Sequence, residues 1–218
     1  PKNRYINFFM ESIPYDKRSG KIWFNGKTVE WGNAQIHVLN HGLHYASCVF
    51  EGERVYDGEI FKLAEHTERL FYSAKRLDMK VPYSQKEINE SSKEIVNIQK
   101  VQNGYVRPVI WRGSEMMALS SQKSKINVAI ATWEWGSYFD PKLKLKGIKL
   151  NISSWRRPSP DSIPWDSKAA GLYMICTLSK HEAEKQGYTD SLLLDHQGNV
   201  AEATGANIFF KNSAGELH

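Results

Sequence analysis

"KIWFNGKTVEW", residues 21–31, reads as two short apolar strands joined by the pair Asn25-Gly26. Both turn residues tolerate positive φ, which a two-residue type I′ hairpin demands. The same signature returns in "ERVYDGEIFKL", residues 53–63, at Asp57-Gly58. The first part of the chain is therefore expected to be built on antiparallel strands.

Further along, Leu63, Leu70, Ala74 and Leu77 recur at helical spacing. Ser84 and Glu87 form a capping box ahead of a second helix carrying Ile88, Ile95 and Ile98. "GYVRPVIW", residues 104–111, reads as a strand with Tyr105, Arg107, Val109 and Trp111 on one face, and "INVAIAT" follows as another. A charged, proline-bearing connection from Gly136 to Lys146 then precedes the alternating Ile148, Leu150 and Ile152. A domain boundary is expected there, dividing the chain into residues 1–138, an α/β sandwich, and residues 139–218, the first part of a second domain. The second part continues with a helix to about Lys185 capped by Gly187, the strand "DSLLLD", a turn at His196 to Asn199, and the strands "NVAEAT" and "NIFFK". The closing "KNSAGELH" supplies a turn and only the beginning of a return strand. An unpaired strand edge would result, so the polypeptide is expected to run on past His218.

At 218 residues, with 41% hydrophobic and 24% charged content, the chain has the composition of a folded globular protein. Its net charge of +5 is spread along the chain, with no concentrated basic run. Nucleic-acid binding is not expected. No stretch approaches the roughly 18 apolar residues of a membrane span, and the apolar stretch near the start is too short and interrupted for a signal peptide. Cys48 and Cys176 lie far apart in apolar sequence, as buried free thiols do. A reducing, cytoplasmic location fits, and the sequons at Asn89 and Asn151 are then accidental.

Several motifs fail on inspection. Gly20 and Gly26 flank five residues where a phosphate loop needs four. "HEAEK" at His181 lacks the second histidine of a zinc protease. His37, His41 and His44 lie close together, but no helix of HExxH type aims them, and no metal site is expected.

"IPWDSKAAGLYM", residues 163–174, is different: Lys168 stands between a proline turn and the smallest side chains, with Tyr173 close behind. A lysine nucleophile must shed a proton that an ordinary lysine keeps to about pH 10.4, and desolvation or a neighbouring cation promotes that loss. Schiff-base chemistry on pyridoxal phosphate further requires a carboxylate for the pyridine nitrogen, a donor to the phenolic oxygen, and cations or amides for the phosphate. Glu202 lies in "VAEATGAN", where small residues would let a flat ring approach, although a solvated strand-end glutamate reads the same. Arg69 could form surface pairs with Glu65 or Glu68. Arg107, on a β-rich strand, would be costly to bury without a partner. A carboxylate-bearing substrate would complete it.

Taken in order, "IWFNGKTVEW", "HVLNHGLHYASCVFEGERVY", "HTERLFYSAKRL", "YVRPVIWRG", "SSWRRPSPDSIPWDSKAAGLY" and "GNVAEATGANIFF" resemble the fold-type IV pyridoxal-phosphate enzymes, specifically the branched-chain amino acid aminotransferases. The resemblance implies an α+β, two-domain chain with an N-terminal antiparallel sheet and a C-terminal pseudo-barrel that is incomplete here. It implies pyridoxal 5'-phosphate as cofactor, with Lys168 as the Schiff-base lysine and proton carrier, Glu202 on the pyridine nitrogen, Tyr173 on the phenolic oxygen and Arg69 on the phosphate. It implies a substrate pocket of Tyr45, Phe50, Trp135 and Tyr138, with Tyr105 and Arg107 handling the carboxylate of amino acids and 2-oxo acids. Leucine, isoleucine and valine would exchange amino groups with 2-oxoglutarate by a ping-pong route. A homodimer or higher oligomer is implied, part of the wall around Tyr45 and Met117 to Leu119 coming from the neighbouring subunit. Ala46 and Cys48 depart from the glycine and the small or hydroxylated residues usual at their positions. D-Amino acid aminotransferases and aminodeoxychorismate lyases share the lysine and glutamate and are the alternatives within the fold. A non-catalytic, metal-binding relative is the alternative outside it.

Overall fold

The computed structural model describes residues 13–136 and 145–218. The strands β1 (Lys21–Phe24) and β2 (Lys27–Glu30) pair as the expected hairpin, with φ of 49° at Asn25 and 83° at Gly26. After the short helix α1 (His41–Tyr45) come β3 (Cys48–Phe50), β4 (Glu53–Tyr56) and β5 (Glu59–Ile60). The β4–β5 turn likewise has positive φ at Asp57 and Gly58. The helices α2 (Leu63–Arg76) and α3 (Gln85–Gln99) follow, and both halves of the Ser84/Glu87 capping box are formed.

Two nine-residue strands, β6 (Gly104–Arg112) and β7 (Ile126–Glu134), are the spine of the first sheet. They pair in register along their whole length, and the sheet runs β2-β1-β7-β6-β4-β5, with β3 also on β6. The strands β3 and β4 follow one edge of β6 and are interrupted at Glu51–Gly52. Alternation along β6 sends Val106 and Ile110 to one face, where with Val128 and Ile130 they pack on Leu70 and Ala74 of α2 and Ile88 and Ile95 of α3. Several of these side chains are fully buried. Each such aliphatic contributes about 1.5–3 kcal/mol through apolar burial. The other face carries Tyr105, Arg107, Val109 and Trp111, opposite Trp133, Ala131, Ala129 and Asn127. The small Ala129 and Ala131 leave that face hollow.

The expected boundary at residue 138 lies outside the described residues. Beyond it, β8 (Leu150–Arg156), a 3-10 turn (Ala170–Tyr173), helix α4 (Met174–Lys185), β9 (Asp190–Leu194) and β10 (Val200–Ala203) form a second unit. Its sheet has the order β10-β9-β8; β8 and β9 are parallel and β9 and β10 antiparallel. Gly187 ends α4 at φ 81°, in the capping position expected of it. The strand expected at "NIFFK" does not form: its only ladder contact is an isolated bridge from Lys211 to Leu217. An apolar run becomes a strand only where a neighbour offers backbone partners, and Phe209 and Phe210 remain exposed.

Candidate active site

The Lys168 segment is docked onto the first sheet by its own backbone. Phe50 N–H donates to Lys168 O at 3.2 Å, and Ala169 bridges Val49. From the other side α2 grips it: Lys168 N–H donates to Ser73 Oγ at 2.9 Å, Arg76 Nε reaches Asp166 Oδ1 at 2.9 Å, and the Tyr72 hydroxyl donates to Asp166 Oδ2. Three anchors near the end of one helix fix where the lysine side chain starts.

That side chain ends in company. Lys168 Nζ donates to the Tyr173 hydroxyl at 2.8 Å. Both lie beside Phe50, whose ring centroid is 4.7 Å from that of Tyr173 and 5.4 Å from the ammonium. Arg107 also lies against the Phe50 ring, with its guanidinium carbon 4.5 Å from the centroid. Arg107 donates to the Tyr105 hydroxyl at 3.2 Å, while its Nε is buried without a hydrogen-bond partner. A buried donor left unpaired costs roughly 1–3 kcal/mol, so an acceptor entering this space would be strongly favoured. The Tyr105 hydroxyl lies so close over Gly52 that a Cβ there would fall 1.7 Å from it. Only glycine fits beneath this tyrosine.

A cavity of about 920 Å³ opens beside these groups. Arg107, Val109, Ala131, Gly171 and Tyr173 are among the residues that border it. Cys48 borders it too; burial pushes its thiol up to about 11 despite the opposing charge of Arg107, so the protonated thiol is favoured.

Arg69 does not form the surface pairs its helical spacing offers. It reaches across to Glu51, Nε to Oε1 at 2.5 Å and Nη2 to Oε2 at 2.8 Å. Glu51 has no exposed side-chain surface, and His66 Nδ1 also meets its Oε2 at 2.8 Å. Burial alone would raise this carboxyl, but the hydrogen bonds from Arg69 and His66, with the charges of Arg69 and Lys168, hold it down to about 2. Arg69 in turn feels Tyr173 and Glu51 feels Lys168, so the pair adjoins the lysine.

Glu202, on β10, pairs with Arg157 Nε at 3.1 Å. Arg157 also donates to Leu172 O at 3.5 Å, which ties Glu202 to the turn that carries Tyr173. Trp135 packs against Tyr105 at 4.9 Å between centroids. Tyr45 stands elsewhere, its ring 4.7 Å from His41 and its hydroxyl 3.2 Å from Met117 O. Tyr138 lies outside the described residues. The structure thus gathers Lys168, Tyr173, Phe50, Arg107 and Tyr105, with Trp135 beside Tyr105 and with Arg69 and Glu202 at the margins through Glu51 and Arg157. Glu51, Ser73 and Arg157 were not expected from the sequence. Of these, only Glu51 in "VFEGERVY" gave any signal, as a charge directly following the apolar "CVF".

A lysine amine and a tyrosine hydroxyl, with an arginine whose Nε lacks an acceptor and a carboxylate held by another arginine, belong to an amine-handling centre on an α+β frame. Residues 48–215 match the family model for class IV amino-transferases, and the chain belongs to that family. It is 45% identical to a probable branched-chain-amino-acid aminotransferase of Rickettsia felis over 201 residues, covering 92% of this chain and 68% of that protein. The structure is similar to that of the T.th. branched-chain amino acid aminotransferase with pyridoxamine 5'-phosphate, with a TM-score of 0.87, 38% identity, and coverage of 92% of this chain and 67% of that one. The same enzyme complexed with 4-methylvaleric acid gives a TM-score of 0.84 and 36% identity over 92% of this chain and 66% of the other. The chain spans about two thirds of the length of these relatives.

Proposed function

We propose that the protein is a branched-chain amino acid transaminase, exchanging amino groups between leucine, isoleucine or valine and 2-oxoglutarate in two half-reactions, with pyridoxal 5'-phosphate anchored at Lys168. One observation carries the reading: Lys168 Nζ is hydrogen-bonded to the Tyr173 hydroxyl and shares the Phe50 ring with an Arg107 whose buried Nε has no acceptor. The residues fit the cofactor. Lys168 would hold it covalently, Tyr173 would serve its phenolic oxygen, Glu202 its pyridine nitrogen and Arg69 its phosphate. At Gly171 a Cβ would meet the Ala46 methyl at 3.2 Å, so the turn beside the lysine is closely packed.

When bound, the cofactor supplies a sink for the electrons released as the substrate Cα–H bond breaks. The chain's own groups do the rest. Arg107 and the Tyr105 hydroxyl receive the carboxylate by charge-assisted hydrogen bonds. Phe50 and Trp135 offer the apolar wall for a branched side chain. The Lys168 amine carries the proton to and from Cα, and the Tyr173 hydroxyl at 2.8 Å orients it. The Arg157 pair holds the Glu202 carboxylate in place. The likeness to a relative crystallised with 4-methylvaleric acid, a branched aliphatic carboxylate, supports the substrate class.

A homodimer is part of the reading. Tyr45 and Met117 are hydrogen-bonded away from Lys168, and Leu43, Tyr45 and Leu119 around them are exposed, as a wall lent to a neighbouring subunit would be. The division near residue 138 and a cytoplasmic location with two free thiols complete it. The test is to reconstitute the protein with pyridoxal phosphate and record the visible absorption band of the lysine-bound cofactor. Lys168→Ala should abolish the band and leucine-dependent formation of glutamate. A band that survives removes Lys168 as the anchor; activity confined to D-amino acids removes the substrate assignment.

A further inference from the structure

Within that reading Arg69 meets a phosphate, yet two of its donors are already engaged. Glu51 takes Nε at 2.5 Å and Nη2 at 2.8 Å, two parallel bonds that fix the plane of the guanidinium. The carboxylate itself cannot turn. His66 Nδ1 holds Oε2 at 2.8 Å, Gly52 N–H reaches the same oxygen at 3.3 Å, and the Glu51 main chain is tied to β6 through Pro108 O at 3.0 Å. The residue sits where β3 breaks from β4, wholly enclosed, whereas the Arg69 side chain is 52% exposed. A half-exposed arginine without such a partner would sample many rotamers, and ordering it would weaken any anion it binds.

We propose that Glu51 is a positioning residue for the phosphate subsite: it presents Arg69 as a rigid fork whose unused N–H groups face the cofactor phosphate, and His66 locks the carboxylate that does so. The proposal rests on the pyridoxal phosphate reading above. It competes with a purely electrostatic account, in which the negative charge of Glu51 only offsets Arg69. The two accounts predict opposite signs. If charge alone mattered, removing it would leave an extra cation and tighten a phosphate dianion; if orientation matters, the phosphate contribution is lost.

The experiment measures the affinity of the intact apoprotein for pyridoxal phosphate and for pyridoxal, which lacks the phosphate, and takes their ratio. Glu51→Gln is nearly isosteric, and Glu51→Asp keeps the charge but withdraws the fork by one methylene. Both should lower the ratio roughly ten- to thirtyfold while leaving pyridoxal binding close to wild type. In a double-mutant cycle with Arg69→Lys, which retains the cation without the fork, the Glu51→Asp effect should largely vanish. A raised or unchanged ratio in Glu51→Gln, a wild-type ratio in Glu51→Asp, or an additive cycle overturns the proposal. Circular dichroism of each variant separates a folding defect, and the Arg69 Nε–H resonance, sharp in wild type and lost in Glu51→Gln, reads the clamp directly. Failure of wild type to bind pyridoxal phosphate at Lys168 would instead defeat the functional reading, so the two failures are distinct.

Discussion

Replacing Glu53 should make the protein more stable, and increasingly so as pH rises. Glu53 points from β4 into the face that packs on α2 and α3; it is fully buried, and neither carboxyl oxygen has a hydrogen-bond partner. Burial, with the nearby charge of Glu51, pushes its carboxyl from an ordinary 4.5 up to about 8. Between those values the folded protein holds a proton that the unfolded chain has released, so raising the pH favours unfolding. The loss runs at about 1.4 kcal/mol per pH unit, or roughly 3 kcal/mol by pH 7 on an order-of-magnitude reckoning. Glu51 is ionised in both states across that window and adds no slope of its own. Glu53→Met, unbranched and of similar size, removes both the titration and the two orphaned oxygens. Guanidinium unfolding of wild type and variant at intervals from pH 5 to 8.5 gives the difference directly, other titrations cancelling. The variant should gain on wild type by several kcal/mol across the series. A difference independent of pH, or one that shrinks as pH rises, would refute the reasoning.

Ser73→Ala strips the acceptor from the Lys168 amide and should cost about 1–3 kcal/mol. It should also slow amino transfer more than it weakens donor binding, seen as a lower kcat at nearly constant KM. Ala46 holds φ of 54°, the left-handed region that favours glycine; Ala46→Gly should add roughly 1 kcal/mol to stability, read as a higher midpoint in thermal unfolding.

Local signals were legible wherever a few consecutive residues settle the backbone. Asn25-Gly26 and Asp57-Gly58 carry the φ their turns need, and Ser84 with Glu87 satisfies the helix start through its own side chains. The lysine and its tyrosine could be read because they lie within one turn of chain. Arg69 was harder, since Glu65 sits one helical turn away and Glu68 beside it, while its actual partner, Glu51, is reached only after β3 and α2 have packed. Ser73 and Arg157 are hidden in the same way: each meets its partner across a long separation in sequence, which no periodicity records. "NIFFK" shows the converse error, an apolar pattern without a neighbouring strand to use it.

The main-chain pairing between β3 and the segment at Lys168 means that this stretch completes the edge of a sheet from which it is remote in sequence. Severing the polypeptide between the two halves would strip β3 of that cover and bare its amide groups to any passing strand. The main chain at Lys168 and Ala169 thus joins both halves of the fold, and neither half is expected to stay soluble when produced alone.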